Sequence, residues 1–207
     1  MRVPGPTIRR LVLYYRFLEE MTKRKEEEVI SSALLGDGVG VTAAQVRKDL
    51  SYFGKLGCKG VGYDIRGLKK FLEKIIGFDR YWSVALIGAG NLGQALISYK
   101  KFCQLGFNIV EVFDNDLSKI GNRVGKLEVK NIKDLSKVIS KKGIKIAILT
   151  IPVSAAQETA QLLIEVGIKA IWNFAPLPLK VSDDVLVIME DLSSGIGSLI
   201  YNLKNSC

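Results

Sequence analysis

Histidine is absent from the 207 residues. That removes the commonest general base, proton shuttle and metal ligand together. Cysteine is scarce: Cys58, Cys103 and Cys207 lie far apart, with no C-x-x-C. Such a set makes neither a disulfide framework nor a zinc site, and it suits a reducing compartment. No uncharged apolar run reaches the ~18–20 residues of a membrane span. The opening residues, Met1 to Pro6, hold no apolar signal-peptide core. These absences count against a secreted, membrane-spanning, zinc-dependent or His-triad protein, and the expected location is the cytoplasm. Positive charge, by contrast, is plentiful: 30 Lys and Arg stand against 21 Asp and Glu, a net +9.

Part of that charge is concentrated. Between Thr42 and Lys70, seven basic residues face two acids, Asp49 and Asp64, a local net of +5. The surrounding pattern is helical. Ile8, Leu11, Val12, Tyr15 and Leu18 repeat at the spacing of one buried helix face. Ser31 and Ser32 offer a cap to a short helix that Gly36 and Gly38 are expected to weaken or end. Thr42-x-x-Gln45 fits a capping box, and Val46, Leu50 and Phe53 form an inward stripe behind it, with Gly54 closing the helix. Gln45, Arg47, Lys48, Ser51 and Tyr52 are left on the outside of that helix. All can donate hydrogen bonds to base edges or phosphates. The Gly-punctuated stretch 57–63 predicts a β-hairpin, a wing with Lys59 and Gly60 at its tip. Helix, short helix, helix and hairpin make a winged helix-turn-helix order. The competing readings are a merely solvated basic face, and a Gln45 fully occupied as a cap partner.

From residue 80 the pattern changes to alternating strands and helices. Strands are predicted at 83–87, 109–113, 144–150, 170–174 and 185–189. Helices are predicted at 92–105, 131–141, 154–166 and 193–204. This alternation implies a Rossmann-like parallel sheet in an α/β unit. Gly88-Ala89-Gly90-Asn91-Leu92-Gly93 follows the first strand and opens the first helix, and Asp114 ends the second strand, 21 residues after Gly93. Gly88 allows the tight turn, Gly90 the approach of a pyrophosphate and Gly93 close helix packing. The helix N-terminus attracts the phosphates. Asp114 can accept from a ribose and disfavours a 2′-phosphate, so NAD is favoured over NADP, although Lys119 and Arg123 follow closely. A tight turn that binds nothing, or coenzyme A on a similar sheet, are the other readings of this motif. Catalytic equipment is missing: there is no His, and no Tyr is followed four positions later by Lys. The chain carries a redox-cofactor site without the means to use it, so no enzymatic activity is expected.

These pieces together resemble the Rex family of bacterial redox-sensing repressors. The residues that carry the resemblance are Val41 to Gly54 (VTAAQVRKDLSYFG), Gly60-Val61-Gly62-Tyr63, the Gly88–Gly93 turn, and Asn173-Phe174-Ala175-Pro176. The resemblance implies a winged-helix DNA-binding domain over 1–79, a Rossmann NAD(H) domain over 80–190, and a C-terminal helix, 191–207, exchanged between the subunits of a homodimer. It implies that the dimer holds a pseudo-palindromic operator with NAD⁺ and leaves it with NADH. The pyrophosphate positions map to Gly88, Gly90, Asn91, Leu92 and Gly93, and the ribose position to Asp114. Thr150, Pro152, Asn173, Phe174, Ala175 and Pro176 would flank the nicotinamide half. Arg16, Tyr99 and Asp191 match positions that connect the nicotinamide pocket to the DNA-binding domain. The alternatives kept open are a small NAD-dependent oxidoreductase with a basic extension and a coenzyme A-binding regulator.

Overall fold

The computed structural model describes residues 3–24, 28–58 and 60–206. The chain forms two compact units, Met1–Arg80 and Tyr81–Cys207.

In the first unit, helix α1 (Gly5–Arg24) buries Leu11, Tyr14, Tyr15 and Leu18. The predicted stripe is displaced: Ile8 is exposed, and Thr7 and Tyr14 turn inward instead. Helix α2 (Ser32–Val39) starts at the Ser31 cap, as its sequence predicts. It does not end at Gly36 or Gly38 but at Gly40, in the left-handed region at φ 76°. Close approach explains the two glycines. A Cβ on Gly36 would press on the Val41 carbonyl oxygen, and one on Gly38 would collide with the Phe17 ring. Helix α3 (Ala43–Ser51) is capped by Thr42, whose hydroxyl accepts from the Gln45 amide. It buries Val46 and Leu50, while Phe53 is half-buried edge-on to Phe71.

Strand β1 (Val29–Ile30) pairs antiparallel with β2 (Tyr63–Asp64). Among the described residues the wing is smaller than the predicted hairpin, with one antiparallel bridge between Cys58 and Gly62. The paired strand is β1, more than 30 residues upstream, which local pattern could not reveal. Asp64 caps α4 (Ile65–Ile76), and Gly77 ends it at φ 87°. Ile65, Leu68 and Leu72 close the core against α1.

The second unit holds a seven-stranded sheet. Its strands are β3 (Trp82–Ile87), β4 (Phe107–Asp114), β5 (Arg123–Val124), β6 (Leu127–Asn131), β7 (Ile146–Leu149), β8 (Ala170–Asn173) and β9 (Leu186–Met189), in the order β5-β6-β4-β3-β7-β8-β9. All pairs are parallel except β5 with β6. Without the short β5 edge this is the doubly wound order, with its switch point between β3 and β7. Strand β3 alternates strictly: Ala85 and Ile87 join one core, while Val84 and Leu86 join the other. Helices α7 (Leu135–Lys142) and α8 (Val153–Glu165) cover the first face, and α5 (Asn91–Ser98) covers the second.

Two helices differ from expectation. The single helix over 92–105 is broken at Tyr99, whose ψ of 90° is extended, and α6 (Lys101–Gln104) follows. The break places Phe102 edge-on to Tyr99, Phe107 and Trp172. The helix expected from 131 begins with a 3₁₀ turn at Ile132–Asp134. The β5–β6 hairpin gives no clear strand signal in the sequence. Its strands are short and largely polar, and Gly125 turns it at φ 61°. The final helix, α9 (Leu192–Asn205), buries none of its residues within the chain. Among the described residues, no helix is long and apolar enough to cross a membrane.

Candidate functional site

The glycine turn lies at the carboxyl end of β3, beside the switch point. Gly88 sits at φ 103°, and a Cβ there would collide with the Thr150 carbonyl oxygen. Gly93 is buried in α5, where a Cβ would collide with the Gly88 carbonyl oxygen. Gly90 differs from both. It has ordinary backbone angles and nothing within 4 Å of where its Cβ would be. It is also the N-cap of α5 and supplies no side chain to cap it. The turn therefore presents a helix N-terminus to an open space bounded by bare backbone, which is the form an anion cradle takes. Asn91 is exposed and Leu92 half-buried at the same terminus.

Asp114 ends β4 next to this turn and is buried. Its Oδ2 accepts from the Ala89 amide at 2.8 Å, and its Oδ1 accepts from the Asp116 amide at 2.9 Å. Lys119 Nζ adds an ion pair at 3.3 Å. Burial alone raises this carboxyl, but the two amides and the lysine outweigh it and hold it below the usual aspartate value. Asp114 therefore carries a fixed negative charge one hydrogen bond from the turn, where a ribose diol would lie. The residues present fit a dinucleotide: open turn, free helix end and ribose acid share the carboxyl end of the neighbouring strands β3 and β4.

Of the positions expected around the nicotinamide, Thr150 binds back to the turn, donating to the Gly88 carbonyl at 2.8 Å. Asn173 is fully buried at the end of β8. Its side chain accepts from the Ala175 amide and donates to the Ala175 and Leu177 carbonyls. It acts on the 174–177 loop, in which Phe174 is half-buried, Ala175 buried and Pro176 exposed. Pro152 is exposed at the start of α8. Tyr99 is exposed at the helix break. Asp191 caps α9, with its Oδ1 accepting from the Ser193 amide and hydroxyl, and these bonds lower its pKa.

In the first unit, Arg47, Lys48 and Ser51 lie exposed on α3 and Tyr52 is half-buried at its end. An open groove of about 610 Å³ runs between the start of α2, the end of α3 and the wing, lined by Ser31, Ser32, Arg47, Lys55 and Gly60 among others. Arg47 crosses it to donate to the Ser32 hydroxyl at 2.9 Å. Lys59 lies outside the described residues. Arg16 is exposed on α1, where the neighbouring Glu19 and Glu20 pair with Lys23.

Sequence reasoning missed one residue altogether, and it is the hub of this unit. Asp49 is fully buried on the inner side of α3. Its carboxylate accepts from Arg10 Nε at 2.6 Å and Nη2 at 2.7 Å, Tyr14 at 2.9 Å, Thr7 at 3.0 Å and Gln45 at 2.9 Å. Burial raises its pKa, and the bonds from Arg10, Tyr14, Gln45 and Thr7 outweigh burial and lower it. The Gln45 side-chain amide, expected on the outer face, is thus turned to this hub, and only the Gln45 backbone amide bonds to the Thr42 cap. A signal existed: Thr7, Arg10 and Tyr14 stand at i, i+3, i+7, one polar row on an otherwise apolar helix face.

Comparison with known proteins agrees with this two-part construction. Residues 2–51 match the family model described as "Putative DNA-binding protein N-terminus", and residues 79–177 match one described as "CoA binding domain". The redox-sensing transcriptional repressor Rex of Desulforamulus reducens is 44% identical over 203 residues, 98% of this chain and 96% of that protein. The repressor of the same name from Pelotomaculum thermopropionicum is 47% identical over 203 residues, 98% of this chain and 95% of that protein. Among solved structures, a Rex-family repressor called RSP, in complex with β-NAD⁺ and operator DNA, superposes with a TM-score of 0.93 at 41% identity, covering 100% of this chain and 94% of that one. The same repressor with β-NADH gives a TM-score of 0.90 at 40% identity, covering 100% of this chain and 96% of that one. With an end-to-end match of this identity, an open dinucleotide turn and a basic helix over a buried hub, the chain belongs to the Rex family of redox-sensing transcriptional repressors.

Proposed function

We propose that this protein is a transcriptional repressor that reads the NADH:NAD⁺ ratio, holding operator DNA in its NAD⁺ form and releasing it when NADH replaces NAD⁺. It is a sensor and not an enzyme. NAD(H) serves as a signal, and the protein supplies binding and discrimination. The observation that carries this reading is the pairing, in one chain, of the Gly88–Gly93 turn and Asp114 with the exposed basic face of α3. The pyrophosphate would lie over Gly88, Gly90, Asn91, Leu92 and Gly93, and the ribose hydroxyls would donate to Asp114. Thr150, Pro152, Asn173, Phe174, Ala175 and Pro176 would border the nicotinamide end.

On the DNA side, α3 would enter the major groove with Arg47 and Lys48 leading. Ser51 and Tyr52 would make further contacts, while Gln45 stays engaged with the Asp49 hub, and Lys59 and Gly60 would reach from the wing. Domain bounds of 1–79, 80–190 and 191–207 follow the same reading. Helix α9 supports a homodimer. Leu192, Ile196, Leu199, Ile200 and Leu203 are each 59–70% exposed, and fully burying each such side chain is worth roughly 1.5–3 kcal/mol. A second copy of this chain is the partner that would cover them. The signal would pass through Tyr99 and Asp191 to Arg16, because NADH and NAD⁺ differ only at the nicotinamide ring. The cytoplasm is the location that suits such a repressor.

Titration of the purified protein with NADH and NAD⁺, with and without operator DNA, tests this reading. Thermodynamic linkage requires operator to weaken NADH by the same factor that NADH weakens operator. Independent binding of the two ligands would refute it.

A further inference from the structure

The ribose acid does not stand alone. Lys119 Nζ lies 3.3 Å from Asp114 Oδ2 and 3.5 Å from Asp116 Oδ2. The Asp116 carboxylate also accepts from the Ser118 amide and hydroxyl, which holds it beside the lysine. The mouth of the candidate site therefore carries two carboxylates and one ammonium, a net of −1. The lysine side chain is 39% exposed, and a lysine is a point charge on a flexible four-carbon stem that can follow an anion. Asp114 itself cannot move away, because both its oxygens are fixed by backbone amides of the turn and of the strand end.

We propose that Lys119 is a specificity-determining residue that lets the site accept a 2′-phosphorylated dinucleotide, NADPH, as a weaker second ligand. The inference rests on the dinucleotide reading of the Gly88–Gly93 turn. A 2′-phosphate carries nearly two negative charges at neutral pH. Against a bare Asp114 it meets only repulsion. With Lys119 present, the ammonium leaves Asp116 and stands between the phosphate and Asp114. For NADH, which has a hydroxyl there, Asp114 is the partner and Lys119 contributes little.

The test is calorimetric titration of the full-length protein with NADH and with NADPH, for the parent, Lys119→Met and Asp116→Asn. Lys119→Met should keep NADH within about twofold and weaken NADPH by at least about fivefold, the scale of removing one charge-assisted hydrogen bond at a partly exposed site. Asp116→Asn removes a competitor for the ammonium and should strengthen NADPH without moving NADH. Unchanged NADPH affinity in both variants overturns the proposal. So does an equal loss of both nucleotides in Lys119→Met, since the lysine would then only hold Asp114 in place. If the parent binds neither nucleotide, the underlying reading of the turn fails, an outcome distinct from the other two.

Discussion

Replacing Asp49 by Asn exchanges one carboxylate oxygen for an amide and removes the charge at the hub of the first unit. If the new amide takes the Oδ2 position, it faces Arg10 Nε and the Tyr14 hydroxyl, which now stand at 2.6 and 2.9 Å. Donor then meets donor at Arg10, and the guanidinium loses its counter-charge. Breaking a buried pair by removing one partner costs about 3–5 kcal/mol. The Arg10 side chain is 22% exposed, so water recovers part of that, and about 3 kcal/mol is the expected loss. For a unit of this size, that lowers the unfolding midpoint by roughly 12–24 °C. Both tryptophans, Trp82 and Trp172, lie in the second unit. Far-UV circular dichroism should therefore show an early step that tryptophan emission does not follow. Acid provides an independent check. The native Asp49 pKa is depressed, so its stabilisation is present above the unfolded value of about 3.9 and is lost as pH falls through the native value. Asp49→Asn should lack that part of the acid transition. A loss below about 1 kcal/mol at pH 7 would refute the view that this carboxylate ties α3 to α1.

Further predictions concern ligands. Gly90→Ala should leave the thermal midpoint within a few degrees, because its Cβ meets nothing, yet weaken NADH at least about tenfold by occupying the phosphate space; unchanged NADH affinity in calorimetry would place the phosphates elsewhere. Gly93→Ala, by contrast, should destabilise the second unit, since its Cβ would press on the Gly88 carbonyl. Lys48→Ala should lower the slope of log operator affinity against log salt by about 1, with NADH binding untouched; an unchanged slope would remove Lys48 from the phosphate contacts. Arg16→Ala should keep NADH within a few-fold but change how far NADH weakens operator binding. If the NADH effect is equal to the parent's in Arg16→Ala, Tyr99→Phe and Asp191→Ala, the signal does not take this route.

How much was legible depended on how local the cause was. The glycine turn was readable because strand, turn, helix and acid fall within one βαβ unit, at spacings that backbone geometry imposes. The caps at Ser31 and Thr42 were readable for the same reason. Long-range causes were not. Gly38 looked like a helix breaker, because Phe17, the ring that requires it to be small, belongs to α1, an earlier helix. Asp49 looked like one acid among solvated bases, because its donors Thr7, Arg10 and Tyr14 lie 35 to 42 residues away. Strand β2 found its partner in β1 and not in the adjacent wing. The break at Tyr99 has no Gly or Pro to announce it, and the structure associates it with the packing of Phe102 on Phe107 and Trp172.

The central claim is that one chain converts nicotinamide redox state into DNA affinity. Fluorescence anisotropy of a labelled operator fragment, at fixed salt and fixed total nucleotide with a varied NADH:NAD⁺ ratio, tests it most directly. A ligand shifts such an equilibrium only by its differential affinity for the two states. Operator affinity should fall steadily as the NADH fraction rises and recover when NAD⁺ is restored. An operator affinity that stays constant across the whole range of ratios would contradict it.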